Sequence, residues 1–129
     1  MASHRYGLVG HSDDENRRRF GDQAKSHEHE WAVRVEVSGP VDPETGFVTD
    51  LTALDEILGR VLGGWHGGNL NQLIPDVREG HMQPSTESLA RWIHDRVGPE
   101  IPPPARVERV HVWESADLGA FYPARTAAP

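Results

Sequence analysis

The sequence predicts an α+β fold, because one chain of 129 residues contains both strand-like and helix-like hydrophobic periodicity. Apolar residues alternate with others from Trp31 to Val37, which is typical of a half-buried strand. Residues 51–62 carry leucine, isoleucine and valine at helical spacing, and residues 107–114 alternate again. The main elements are therefore predicted in the order two strands, two helices and a final strand.

Capping and turn residues bound the elements in the first half of the chain. Ser12, with an acidic residue three positions later, predicts the N-cap of a short helix that ends near residue 20. The first main strand is predicted over residues 29–38 and stops at a Gly-Pro pair. A turn with proline and glycine follows at residues 42–46, so a returning strand is expected to begin at residues 47–48.

Similar signals bound the second half. Asp50 is predicted to be the N-cap of a helix that ends at two consecutive glycines. Residues 63–84, which begin with these glycines, are predicted to form a loop. A second helix is expected to begin near Ser85. In the final strand, over residues 107–114, Glu114 continues an apolar row. A buried carboxylate is costly unless it has a partner, so Glu114 is a candidate functional residue.

Length and composition limit the class of protein. A chain of 129 residues predicts one domain, over residues 1–122, with a frayed tail over 123–129. The net charge of −7 argues against nucleic-acid binding. The absence of cysteine excludes disulfides, thiolate zinc ligands and a cysteine nucleophile. No apolar stretch approaches membrane-spanning length and no signal-peptide pattern opens the chain, so a cytoplasmic protein without membrane partners is expected.

Two histidines precede the alternating run. His27 and His29 are two residues apart, so on a regular strand their side chains point to the same face as the apolar row. Neutral imidazoles at the rim of a core are suitable zinc ligands, and catalytic zinc usually has three protein ligands and an open position. An H-x-H motif is weak evidence by itself, and a pair of surface histidines is the alternative.

Several short motifs, in this order along nearly the whole chain, resemble those of the 6-pyruvoyl-tetrahydropterin synthase and 6-carboxy-tetrahydropterin synthase family. No single motif is decisive, but their joint order is specific. The motifs are Ala2-Ser3-His4-Arg5, Ser12-Asp13-Asp14-Glu15-Asn16, His27-Glu28-His29, the segment 41–50, Asn69-Leu70-Asn71, Pro84-Ser85-Thr86-Glu87 and Val112-Trp113-Glu114.

The resemblance implies a fold, a metal site and an assembly. The implied fold is the tunnelling fold, an antiparallel sheet with two helices on one face, whose subunits form oligomeric barrels, commonly hexamers, with active sites at subunit interfaces. The implied cofactor is Zn²⁺, bound by His4, His27 and His29. Glu114 is implied to grip the guanidine-like edge of a pterin, a charge-assisted contact. Thr86 and Glu87 are two further candidates for substrate binding.

The chain departs from the family at the residues that transfer protons. Where the family has a cysteine base, four residues before the first histidine of its H-x-H motif, this chain has Gln23. The family's Asp-His pair is replaced by His66 and Gly67. Glutamine and glycine have no titratable side chain, so the usual acid–base relay cannot operate. We therefore predict that His66, which is titratable near neutrality, replaces the lost catalytic groups, with Gln23 at the cysteine position.

The beginning of the chain is a second departure. The family has most of a first strand before the segment that matches residues 2–5, whereas this sequence starts at Met1. Either the first strand is shortened or the recorded chain is incomplete. A shortened strand would expose a sheet edge that a partner subunit could cover.

The sequence leaves three hypotheses for function. The first is a zinc-dependent lyase that acts on a dihydropterin side chain with altered acid–base residues, in a homo-oligomer, with a hexamer expected. The second is an enzyme redirected to a non-pterin substrate in specialised metabolism. The third is a catalytically inactive subunit that binds a pterin or supports a hetero-oligomer.

Overall fold

The structure is a computed structural model that describes residues 1–124, and the end of the predicted tail, residues 125–129, lies outside it. The strands are β1 (Ala2–His4), β2 (His27–His29), β3 (Ala32–Ser38), β4 (Arg106–Trp113) and β5 (Gly119–Tyr122). The α-helices are α1 (Asp13–Phe20), α2 (Leu51–Val61), α3 (Leu70–Leu73), α4 (Pro75–Arg78) and α5 (Thr86–Val97), and short 3-10 turns span Gly21–Ala24 and Gly98–Glu100.

The strands form two antiparallel sheets. In the smaller sheet β1 pairs with β2, and His4 lies directly opposite His27. In the larger sheet β4 lies between β3 and β5, with Val33 opposite Val112 and Val110 opposite Tyr122. This arrangement confirms the predicted α+β fold with antiparallel sheets.

The predicted bounds were wrong at two places in the first half. The single strand expected over residues 29–38 is divided between β2 and β3, which pair with different strands. The division follows Glu30, where Trp31 turns to donate its indole N–H to the carbonyl oxygen of Ala2 (3.0 Å). No strand forms at residues 47–48. Phe47 instead closes a turn by accepting the backbone N–H of Asp42 (2.9 Å).

The predicted starts of the three longer helices are confirmed by their caps. The Ser12 hydroxyl accepts the backbone N–H of Glu15 (3.1 Å) at the start of α1. The Asp50 carboxylate accepts the N–H groups of the second and third residues of α2. The Ser85 hydroxyl accepts the N–H of Ser88 (3.2 Å) at the start of α5. Side-chain capping supplies partners for N–H groups that a helix start leaves unpaired.

The hydrophobic core lies between α5 and the larger sheet. Helix α5 places Leu89 and Ile93 against β4, which contributes Val110 and Val112, and all four side chains are fully buried. Helix α2 adds Ile57 to the same core. The loop predicted over residues 63–84 contains α3 and α4, which bury further apolar side chains. In residues 1–124, no helix has the length and apolar character needed to cross a membrane.

Candidate metal centre

The pairing of β1 with β2 brings three histidines together. His4 lies opposite His27, and His29 lies two residues farther along the same face of β2. The ring centroids are 4.5 Å apart for His4 and His27, 5.0 Å for His4 and His29, and 4.9 Å for His27 and His29. One nitrogen of each ring lies within 4.8 Å of the others. The three histidines of the predicted site are therefore adjacent.

Backbone carbonyl groups orient two of the three rings. Nδ1 of His4 lies 2.8 Å from the carbonyl oxygen of Pro84, and Nδ1 of His27 lies 2.7 Å from that of Lys25. A carbonyl oxygen can only accept, so each Nδ1 carries the proton and donates it. Each Nε2 then keeps its lone pair, which is the form in which histidine binds a metal ion.

Burial keeps His4 uncharged. Its side chain is fully buried, and this desolvation lowers its pKa to about 4, with further lowering by the neighbouring His27 and His29. The hydrogen bond to Pro84 acts in the opposite direction but does not cancel the effect of burial. His4 is therefore a neutral imidazole at neutral pH, as a metal ligand must be.

A carboxylate oxygen lies beside the histidines. Oε2 of Glu114 is 3.7 Å from Nε2 of His4 and 3.7 Å from Nε2 of His29. In residues 1–124, four buried side-chain nitrogen or oxygen atoms lack a hydrogen-bond partner, and these three are among them. Buried polar atoms without partners are costly, so a group that satisfies three at once is expected between them. A set of imidazole nitrogens with a carboxylate oxygen fits a zinc ion.

Two aromatic residues that were not among the predicted site residues border the histidines. Trp31 packs edge-on against His4, with ring centroids 4.9 Å apart. Tyr6 packs edge-on against His4 at 5.1 Å and stacks on Phe20 at 5.9 Å. Tyr6 follows His4 by two residues, so the alternation of an extended chain was the signal that could have placed it on the same face.

The predicted substrate-binding residues lie close to this cluster. Thr86 is buried in the first turn of α5, directly after the segment whose Pro84 carbonyl holds His4. Burial is the largest cause that raises the pKa of Tyr6 to about 12, and the carboxylates of Glu114 and Glu87 contribute to the same shift. Glu114 lies beside two of the histidines, and Thr86 and Glu87 begin the helix that follows the carbonyl group bonded to His4.

In residues 1–124, neither predicted catalytic side chain forms a hydrogen bond to the three histidines. Gln23 is exposed in the 3-10 turn after α1, where its backbone carbonyl accepts the N–H of Tyr6 (2.9 Å). His66 is exposed in the loop after α2, and within residues 1–124 its ring contacts the N-terminal amine of Met1 (3.4 Å). Their catalytic roles remain predictions.

Comparison with known proteins identifies the family. The profile of the family described as 6-pyruvoyl tetrahydropterin synthase matches residues 1–125. The chain belongs to the 6-pyruvoyl tetrahydropterin synthase family. It is 32% identical over 114 residues to the 6-pyruvoyl tetrahydrobiopterin synthase of Poecilia reticulata, covering 85% of this chain and 76% of that protein.

A second relative carries a different activity in its name. The chain is 27% identical over 93 residues to the dihydroneopterin monophosphate aldolase of Pyrococcus furiosus, covering 72% of this chain and 74% of that protein. The resemblance to the family that the sequence motifs indicated is thus confirmed. Membership in the family supports a lyase-like function in pterin synthesis.

The fold agrees with a solved structure of the same family. The structure of Caenorhabditis elegans 6-pyruvoyl tetrahydropterin synthase superimposes with a TM-score of 0.79, at 24% sequence identity, and covers 94% of this chain and 86% of that chain. The tunnelling fold expected from the sequence is therefore confirmed for the subunit.

Proposed function

We propose that this chain is a zinc-dependent lyase that acts on a dihydropterin side chain with altered acid–base residues. The observation that carries the proposal is the convergence of His4, His27 and His29 at one point, with Nε2 of His4 and of His29 buried and without partners. The proposed unit is a single domain over residues 1–122, with the remaining residues as a tail.

The three histidines would hold the ion through their Nε2 atoms. The backbone carbonyls of Pro84 and Lys25 fix the tautomers of His4 and His27, so these two rings need no reorientation of their protons before binding. Bound there, zinc would supply Lewis-acid chemistry for substrate oxygens and for the acidity of the adjacent C–H bond. The low pKa of His4 keeps its nitrogen available even in mildly acidic solution.

The substrate would be a small pterin-like heterocycle. Glu114 is the proposed partner of its amidine edge, since a carboxylate accepts two parallel N–H groups in a charge-assisted contact. Thr86, at the buried start of α5, and Glu87 beside it are the proposed further contacts. Tyr6 forms part of the wall and remains a neutral phenol, because its pKa of about 12 lies far above neutrality.

Proton transfer would depend on a neighbouring subunit. His66 is exposed, and its ring contacts Met1 rather than a histidine of its own chain's cluster, so it is available to a site across an interface. We therefore propose a closed homo-oligomer, a hexamer, in which His66 of one subunit faces the cluster of the next. Gln23 can orient a substrate group by hydrogen bonding but cannot take up a proton.

A second candidate function has support from two residues. Gln23 and Gly67 occupy two of the three positions at which the family's proton-handling residues stand, and neither side chain can exchange a proton. A chain that binds a pterin without converting it, alone or within a hetero-oligomer, accounts for both. An enzyme redirected to a non-pterin substrate accounts for them as well.

The decisive experiment is incubation of the zinc-loaded protein with dihydroneopterin triphosphate and, separately, dihydroneopterin monophosphate, followed by mass spectrometry. The proposal expects the side chain of one of these two compounds to be cleaved. Cleavage would break a carbon–oxygen bond in the triphosphate or a carbon–carbon bond in the monophosphate. The second outcome would follow the aldolase relative. Binding of both compounds without product would favour the pterin-binding subunit.

Variants separate the role of His66 from general effects. His66→Ala should lower turnover of the active substrate by about 100-fold or more, which is the usual contribution of a positioned acid or base. His11→Ala, which removes another exposed loop histidine, is the matched control and should retain full turnover. Equal turnover by wild type and His66→Ala would remove His66 as the acid or base.

A further inference from the structure

Glu114 lies too close to the histidines to be only a contact for the substrate ring. We propose that, in the substrate-free protein, Glu114 is the fourth protein ligand of the metal ion, and that substrate displaces it. This inference rests on the proposed zinc site and extends it from three histidines to three histidines and one carboxylate.

The distances fit a ligand position. Oε2 of Glu114 is equally far, 3.7 Å, from Nε2 of His4 and from Nε2 of His29. Two ligand atoms of a tetrahedral zinc ion, each about 2.0–2.1 Å from the metal, lie about 3.3 Å apart. The distances from Oε2 to the two imidazole nitrogens therefore exceed this spacing by only a few tenths of an ångström.

The surroundings of Glu114 offer no other cation. Among residues 1–124 its ion-pair partners are His4 and His29, and no lysine or arginine side chain reaches it. Oε2 is buried and accepts no hydrogen bond in the described chain. A carboxylate in such a place requires a positive partner, and a divalent ion bound by the adjacent imidazoles supplies one.

The same position conflicts with simultaneous binding of a pterin ring. The amidine edge of a pterin and the side chain that carries its reactive oxygens lie at opposite ends of the bicyclic ring. If Glu114 held that edge where it now stands, the edge rather than the side chain would lie beside the histidines. Glu114 must therefore turn away from the ion when it grips the ring, which opens one coordination position for substrate oxygens. The two roles belong to two states of the site.

Cobalt-substituted protein tests the inference without any measurement of activity. A site of three histidines with a bound water contains an ionisable ligand, since water on such an ion can have a pKa near 7. A site closed by Glu114 contains none. The visible absorption spectrum of substrate-free, cobalt-loaded wild type should therefore be constant from about pH 6 to pH 9. In Glu114→Gln, water should replace the carboxylate, so the spectrum should change with pH.

Zinc affinity gives a second readout. Changes to groups that only support metal ligands usually lower metal affinity by about 10–100-fold. Loss of a ligand in Glu114→Gln should lower zinc affinity by about 100-fold or more, measured by competition with a chelator. Glu28→Gln is the matched control, because it removes an exposed carboxylate that lies between His27 and His29 in β2 and, by strand alternation, points to the opposite face. Its affinity should stay within a few-fold of wild type.

The outcomes separate this inference from the zinc site itself. A wild-type cobalt spectrum that changes with pH near neutrality reports a bound water and overturns the inference, whatever Glu114→Gln does. The inference is also overturned if Glu114→Gln has the same cobalt spectrum and the same zinc affinity as wild type. Wild-type protein that binds neither metal, or His27→Ala that binds zinc as tightly as wild type, would instead remove the zinc site on which the inference rests.

Discussion

Nδ1 of His4 donates a hydrogen bond to the carbonyl oxygen of Pro84 over 2.8 Å, although the two residues are 80 positions apart in the sequence. This bond connects the first strand to the turn that precedes α5, and α5 in turn packs on the larger sheet. The geometry of the histidine cluster is therefore coupled to the packing of the core. Changes at the cluster are expected to affect both metal binding and stability.

Metal analysis should show about one zinc per chain in protein purified without chelator or added metal, as a site with three histidines implies. His27→Ala should lose most of this zinc, because it removes one ligand while His4 keeps its place in the core. His81→Ala, at an exposed loop position outside the cluster, should keep the wild-type content. Full zinc content in His27→Ala would contradict the assignment.

The stability of metal-free protein should depend on the charge of His4. Its pKa is about 4 in the folded chain and about 6.5 when unfolded, so the unfolded state binds more protons between these values. Stability is thus retained above pH 6.5 and lost as the pH falls towards 4. A difference of this size corresponds to roughly 3 kcal/mol of unfolding free energy.

Urea unfolding of chelator-treated protein at several pH values measures this effect. The free energy of unfolding should fall between pH 6.5 and pH 4, and His4→Gln should flatten that part of the profile because it removes the titrating group. Saturating zinc should oppose the loss in wild type, since a ligand that binds only the folded state stabilises it. A flat wild-type profile in metal-free protein would show that His4 is accessible to protons while folded.

How much of the site the sequence predicts depends on how far apart its parts are. His27 and His29 could be placed on one face because strand alternation is a local property. His4 followed only from the resemblance to the family, since nothing in the sequence shows which strand pairs with β2. The carbonyl groups of Pro84 and Lys25 that orient the rings were not predicted, because backbone acceptors leave no mark in residue type.

The fold shows the same limit. The caps at Ser12, Asp50 and Ser85 were predicted, because a capping side chain bonds to N–H groups two or three residues away. The break between β2 and β3 was missed, because the hydrophobic alternation continues through it. Its cause is tertiary: β2 pairs with β1, β3 pairs with β4, and Trp31 bonds to the backbone at Ala2.

The assembly should be visible in solution. In the described chain both outer strands of the larger sheet, β3 and β5, have a free edge, and exposed edges favour pairing with another chain unless they are protected. Large apolar side chains are also exposed, including Phe47 (50% exposed) and Leu51 (55%). Light scattering at micromolar concentration should give a mass of about six times the 14.3 kDa of one chain. A monomer would contradict the proposed oligomer and with it the role of His66.

The packing of Trp113, the residue before Glu114, should depend on a glycine. A Cβ atom added at Gly119 would lie far inside van der Waals contact with Cδ1 of Trp113. The indole cannot move freely, because it stacks parallel to the ring of His111 at 5.3 Å and the guanidinium of Arg34 lies over it, 5.4 Å from the ring centroid. Gly119→Ala should therefore lower the free energy of unfolding by about 1–3 kcal/mol, the usual cost of overpacking.

Gly59→Ala is the matched control for this change. Gly59 lies within α2, and a Cβ atom there would meet nothing within 4 Å. Alanine favours a helix interior over glycine by about 0.5–1 kcal/mol, so this variant should be more stable than wild type. Urea unfolding followed by circular dichroism measures both variants, and tryptophan fluorescence should shift in Gly119→Ala alone. Equal stability of the two variants would mean that Trp113 can leave its stack on His111 without a cost in free energy. The packing of Trp113 would then not hold the end of β4, from which Glu114 extends, in place.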